Sequence, residues 1–232
     1  MTGPRRMRIR CYKCNWPEQH CWCGSITPMV TRTKFVFLIH PYEFKRVKAN
    51  TGRLTHLSLA GSELHMGIGF DEHERVQELI NDPKNYPVLL YPSKGAVDLS
   101  APDSSQLSTL SAQLHQRQLV VFLLDGTWRT VRAMLRTSLT LQKLPRVMFS
   151  NAAPSRYVIK QQPKPECLST LEATHELLVA LDRSGLDAYE RPAQLLDLFQ
   201  RMQDFQLRCI EENRRRGYCR HGRRYNAEVA PG

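Results

Sequence analysis

Apolar runs of strand length recur along the chain at 35–39, 88–91, 119–124 and, more weakly, at 147–149 and 157–159. They are nearly continuous rather than alternating, the pattern of strands buried on both faces of a parallel sheet. Helical periodicity fills the intervals. Val131, Met134 and Leu135 mark a helix over 130–136, and Leu171, Leu177, Leu178 and Leu181 mark another over 170–181. A longer helix is predicted over 193–215, because Leu195, Leu198, Phe199, Met202, Phe205, Cys209 and Ile210 fall on one face. Gly217 is placed to stop it. Strands alternating with helices predict an α/β domain with a mostly parallel sheet and flanking helices.

Residues 5–24 break this pattern: they are basic, rich in cysteine and short of aliphatic side chains, so they need a source of order other than a core. The expected organisation is a cysteine-rich module at 1–30, an α/β domain at 31–216 and a basic tail at 217–232. The longest apolar run, 119–124, falls far short of the roughly 18 residues of a membrane helix, and the basic N-terminus has no apolar signal region. A cytoplasmic protein without membrane association is expected.

Charge narrows the partner. Lys and Arg number 33 against 22 acids, a formal charge of +11, which favours a polyanion. The candidate contacts are Arg5, Arg6, Arg8, Arg10 and Lys13 around the first cysteines, Lys45, Arg46 and Lys48, and Arg214, Arg215, Arg216, Arg220, Arg223 and Arg224 near the end.

Seven cysteines, an odd count without an export signal, argue against a disulfide framework. Cys11, Cys14, Cys21 and Cys23 form C-x2-C-x6-C-x-C, enough soft ligands for a tetrahedral metal site. Zinc suits the set, and iron would use the same ligands. Four protein thiolates leave no open position, so the metal's role is structural. Four thiolates and a divalent ion would leave the chain at about +9. The alternatives are unrelated free thiols or a redox pair at Cys11 and Cys14, which leaves the second pair unexplained. Cys167, Cys209 and Cys219 read as ordinary thiols; Cys219 and His221 are too few for a site.

The run 119–124 ends on Asp125, Gly126, Thr127 and Trp128 and is followed by a helix. In open parallel sheets the carboxyl ends of strands form the ligand crevice, so Asp125 would point into a cleft. Gly126 would let the backbone approach a ligand, and Trp128 could stack on a flat ring. The plainer alternative is that Asp125 or Thr127 caps the helix and Trp128 is core. Ser169-Thr170-Leu171-Glu172 reads as a capping box, whose helix N-terminus still offers amides to a carboxylate. His40 follows the first strand, with Arg46 and Asn50-Thr51-Gly52 behind it.

Together these blocks resemble the DTW-domain family, named for a D-x-T-W motif that stands here as Asp125-Gly126-Thr127-Trp128. The likeness extends over the four cysteines, His40-Pro41-Tyr42-Glu43-Phe44-Lys45-Arg46 to Asn50-Thr51-Gly52, Leu89-Leu90-Tyr91-Pro92, and Ser169-Thr170-Leu171-Glu172. It implies a SPOUT-like α/β fold, with a knot left open, and S-adenosyl-L-methionine as co-substrate. It also implies tRNA as substrate: the 3-amino-3-carboxypropyl group passes to N3 of a uridine in the variable loop and 5'-methylthioadenosine leaves. Asp125 is then the candidate to accept or direct the N3 proton. Alternatively it holds the donor's ammonium or pairs with its sulfonium, and water takes the proton. The implied donor contacts are Gly126, Thr127, Ser169, Thr170 and Glu172, with Leu90, Tyr91 and Pro92 against adenine. Thr127 and Trp128 join Asp125 as the implied catalytic residues, with Trp128 stacking on a ring or packing. Rival functions are an S-adenosylmethionine-dependent RNA methyltransferase, a zinc-stabilised RNA-binding protein without catalysis, and a thiol redox protein.

Overall fold

A computed structural model describes residues 9–47, 50–100, 104–149, 154–159 and 167–215. Its frame is a six-stranded sheet in the order β2-β1-β5-β3-β6-β4, every pairing parallel. In chain order the elements are β1 (Lys34–Ile39), α1 (Pro41–Arg46), α2 (Thr51–Ser58), β2 (Glu63–Met66), α3 (Glu74–Asn81), β3 (Asn85–Leu90) and β4 (Val97–Asp98). They continue as α4 (Ser104–Leu114), β5 (Gln118–Asp125), α5 (Trp128–Arg136), α6 (Leu139–Lys143), β6 (Arg146–Met148), α7 (Thr170–Arg183) and α8 (Ala193–Arg215).

The apolar runs form the centre because both of their faces are covered. Along β1 and β5, alternate side chains enter two separate cores. Phe35, Phe37, Val121 and Leu123 pack with Leu54 of α2, Leu171, Leu177, Leu178 and Leu181 of α7, and Leu195, Phe199 and Met202 of α8. Val36, Leu38, Val120 and Phe122 face the other way, onto Val76 and Leu79 of α3, Met134 of α5 and Leu141 of α6. The result is three layers, helix on sheet on helix. Cys14, Trp16 and Met29 belong to the first core, so the cysteine-rich segment rests on α8 and shares the hydrophobic interior of the sheet.

Residues 157–159, expected as a strand, are irregular. Their backbone partners are side chains: Val158 N donates to Gln203 Oε1 of α8 at 2.8 Å, and Tyr157 N donates to Ser155 Oγ at 3.2 Å. The Tyr157 ring packs edge-on to Phe199, 5.1 Å between centroids, while Val158 is exposed.

Candidate active site

The parallel order brings the carboxyl ends of β1, β5 and β3 to one edge. Ile39 pairs with Asp125, and His40 N donates to Asp125 O at 3.0 Å. Leu89 pairs with Phe122, so Pro92 and Asp125, each three residues further on, leave the sheet at the same edge. Asp125 is 5% exposed, and two distant segments hold its carboxylate. Oδ2 accepts from Asn50 Nδ2 at 2.7 Å, and Oδ1 accepts from Thr170 Oγ1 at 2.5 Å. Asn50 also caps α2, its Oδ1 accepting from Arg53 N at 2.7 Å. Gly52 lies against the carboxylate so closely that a Cβ there would sit 2.5 Å from Oδ2. A carboxylate has about four lone-pair sites, so acceptor capacity remains after the two bonds.

The residues around it divide between holding the fold and facing the edge. Thr127 caps α5, its Oγ1 accepting from Thr130 N at 3.3 Å, and is exposed. Asp125 does not cap α5; its oxygens are engaged by Asn50 and Thr170. Trp128 is the first helical residue and is half-buried. Gly126 abuts Thr130 Oγ1, 2.5 Å from where a Cβ would be. Ser169 and Glu172 form the expected capping box. Glu172 does more: Oε2 accepts from Ser169 N and Ser155 Oγ, both at 2.9 Å, and Oε1 accepts from Arg156 N at 2.7 Å. It therefore fastens the irregular 154–159 segment to the start of α7. Thr170 contributes its hydroxyl to Asp125. Leu90 ends β3, Tyr91 N donates to Val147 O at 3.1 Å with the Arg146 guanidinium 5.4 Å from its ring centroid, and Pro92 is exposed.

Two buried residues, Glu43 and Arg53, and the half-buried Tyr157 were not singled out as site residues from the sequence. Glu43 of α1 is 4% exposed. Burial pushes the Tyr157 hydroxyl up to about 12, and the charges of Glu43, Glu172 and Asp125 add to the shift, so all three acids act on this phenol. Arg53 of α2 is 7% exposed, with Nη1 donating to Lys13 O at 3.3 Å and Nη2 to Phe44 O at 3.2 Å; its guanidinium lies 4.1 Å from the Phe44 ring centroid. Desolvation lowers its pKa, and the charges of Cys14 and Asp125 oppose that shift. Arg53 thus bridges the cysteine loop and the α1–α2 strap around Asp125. Glu43 lies between His40 and Arg46, but nothing in its spacing marks it as buried.

The four N-terminal cysteines converge. Cys11 and Cys23 Sγ are 3.7 Å apart, as are Cys14 and Cys21 Sγ, and all four sulfurs lie within 4.8 Å of one another. A tetrahedron with bonds of about 2.3 Å has edges of about 3.8 Å, so the set fits a tetrahedral metal ion. Asn15, at φ 62°, turns the chain between the first pair and Trp16. The Cys14 backbone, working against burial, leads the effects that hold Cys11 down at about 6, whereas burial and the neighbouring thiols push Cys23 up. Trp16, Trp22 and Phe205 meet edge-on, seating the cluster on α8.

Of the candidate polyanion contacts, Arg10, Lys13, Lys45 and Arg46 are exposed. Arg214 and Arg215 are exposed but pair with Glu211 at 3.4 and 3.1 Å. Arg5, Arg6, Arg8, Lys48, Arg216, Arg220, Arg223 and Arg224 lie outside the described residues. A cleft lined by Lys34, Arg75, Glu78 and Gln118 opens at the amino ends of the strands, away from Asp125. No helix among the described residues is long and apolar enough to cross a membrane.

Known proteins extend this picture. The DTW domain matches residues 8–207, a span containing the cysteines, the Asp125 turn and α7. A Drosophila melanogaster protein named tRNA-uridine aminocarboxypropyltransferase 2 is 31% identical over 188 residues, covering 78% of this chain and 70% of its own. Proteins of the same name from Macaca fascicularis and Mus musculus are 27% and 28% identical, over 90% and 88% of this chain and 70% and 68% of theirs. No solved structure matches. With the motif residues assembled at one sheet edge and a domain match over most of its length, the chain belongs to the DTW-domain family.

Proposed function

We propose that this protein is a tRNA-uridine aminocarboxypropyltransferase, with S-adenosyl-L-methionine as donor and N3 of a variable-loop uridine as acceptor. The observation that carries the reading is the buried Asp125 carboxylate held at the carboxyl edge by Asn50 and Thr170, in a chain whose relatives carry that activity in their names. The acids acting around Tyr157 suit a donor bearing sulfonium and ammonium charges. In the transfer, N3 gives up its proton, the nitrogen forms a bond to the γ-carbon, and the carbon–sulfur bond breaks to release 5'-methylthioadenosine. Asp125 accepts or directs that proton through its remaining acceptor capacity. Thr170 and Asn50 fix its orientation. The amides at the start of α7 receive the donor's carboxylate, aided by the helix dipole. Leu90, Tyr91 and Pro92 face adenine, and Gly126, Thr127 and Trp128 shape the entrance to the site.

In this reading the cysteines hold zinc, which supplies order to a module at 1–30; residues 31–216 are a SPOUT-like catalytic domain, and 217–232 a basic tail. The arginines and lysines named from the sequence add phosphate contacts, and the protein works in the cytoplasm. Nucleoside mass spectrometry of tRNA incubated with protein and S-adenosyl-L-methionine tests the reaction. A uridine heavier by one aminocarboxypropyl group is expected. A methylated base, or unchanged RNA, contradicts the proposal.

A further inference from the structure

The positive charge of the chain is unevenly spread. Between Asp125 and Glu166 there is no acid, while those 40 residues carry eight Lys or Arg, a large share of the net +11. The first of them stand on α5, which begins directly after the Asp125 turn. Val131 and Met134 bury one face of this helix, while Arg129, Arg132 and Arg136, at i, i+3 and i+7, are exposed on another. Among the described residues, none of the three guanidinium groups makes an ion pair or side-chain hydrogen bond, in contrast to Arg75, held by Glu63 and Glu78, and to Arg214 and Arg215, held by Glu211.

We infer that α5 is the principal RNA-docking surface, gripping the phosphate backbone beside the base presented to Asp125. Arg129 and Arg136 are separated by about 10 Å of helix axis, a span matching roughly two to three successive phosphates of one strand. A guanidinium suits the task because its planar fork matches phosphate oxygens. An unpaired arginine has no internal partner to give up on binding. The choice of tRNA as partner rests on the transfer reading above; the charge itself calls for a polyphosphate backbone.

The test uses the full chain and unfractionated tRNA, with affinity measured across a salt series. Replacing Arg129, Arg132 and Arg136 together by Gln keeps helix propensity and leaves both cores untouched, so thermal stability serves as the folding control. The expected result is a 10- to 100-fold loss of affinity near 0.1 M salt and a shallower log–log salt slope, by about 2. The comparison variant carries Gln at Arg208, Arg214 and Arg215 and should lose less than about threefold, since the latter two are already paired. Equal losses in the two variants, or a larger loss in the second, overturn the assignment. So does intact tRNA affinity with lost binding to phosphatidylserine–phosphatidylcholine vesicles, which would make α5 a membrane-facing surface. If α5 governs tRNA affinity but the wild-type chain transfers nothing, the transfer reading fails and this one stands. If transfer proceeds and the triple variant binds tRNA normally, only this inference fails.

Discussion

The cysteine cluster and the Asp125 pocket are both concentrations of polar groups against the same core, yet they are built in opposite ways. The cluster is local: four sulfurs from residues 11–23 lie within 4.8 Å of one another. Thiolates this close repel one another unless a metal ion lies between them, so the arrangement suits a bound ion, while Cys14 and Trp16 also rest on the core. The Asp125 pocket is assembled over distance, from Asn50 and Thr170, 75 and 45 residues away in sequence, and neutral donors hold its carboxylate. Such a site exists only once the sheet and α7 have formed. Arg53 joins the two regions, through Lys13 O on one side and the Asn50 cap on the other. The contrast separates what a metal can change from what only the fold can change.

The sharpest way to break it is Asp125→Asn, which keeps the shape of the side chain and removes its charge. Single-turnover transfer should fall by about 100-fold or more, with tRNA affinity preserved. Preserved donor affinity assigns Asp125 to the proton; lost donor affinity assigns it to holding the donor; unchanged transfer removes it from the mechanism. Next in size is Cys11→Ser. It should abolish binding of one zinc per chain, measured by elemental analysis, and lower Tm by about 5–10 °C, or about 2–3 kcal/mol. The transfer rate of the folded fraction should change far less than in Asp125→Asn. Unchanged metal content, stability and tRNA affinity would contradict a metal site.

Gly52→Ala attacks the Asp125 pocket through its packing. A methyl group 2.5 Å from Oδ2 must displace the carboxylate or shift α2. Transfer about tenfold slower and destabilisation of about 1–3 kcal/mol are expected, with zinc content unchanged. The smallest effect belongs to a region outside both. Although burial raises the Glu63 pKa, hydrogen bonds from Arg75, Lys34 and His65 hold it down at about 2. Its contribution to stability is present above the usual value near 4.5 and is lost as pH falls through that value toward 2. Glu63→Gln should therefore cost less than about 1 kcal/mol at neutral pH, a difference that disappears in denaturation curves toward pH 2, with transfer unaffected.

What could be read in the sequence follows the same division. β1 and β5 stood out because burial on both faces makes their runs continuously apolar, and α8 because its apolar face keeps one period for 23 residues; the stop expected at Gly217 lies outside the described residues. The cysteine site was legible from spacing alone. β2 was not, because it is an edge strand whose Glu63 and His65 pair with each other instead of filling a core. Residues 157–159 misled because apolar composition cannot reveal that the Ser155 and Gln203 side chains take the Tyr157 and Val158 amides in place of a neighbouring strand. Asp125 could be named, but its two holders, 75 and 45 residues away, meet it only through the strand order. Arg53 and Glu43 are charged residues buried by tertiary structure, a state that no periodicity announces.

The most direct test of the transfer account is the nucleoside coproduct released when the full chain is incubated with tRNA and S-adenosyl-L-methionine, resolved by liquid chromatography. Stoichiometric 5'-methylthioadenosine, dependent on tRNA and nearly absent with Asp125→Asn, is the predicted result. S-adenosylhomocysteine as the main coproduct would contradict the account and make the protein a methyltransferase.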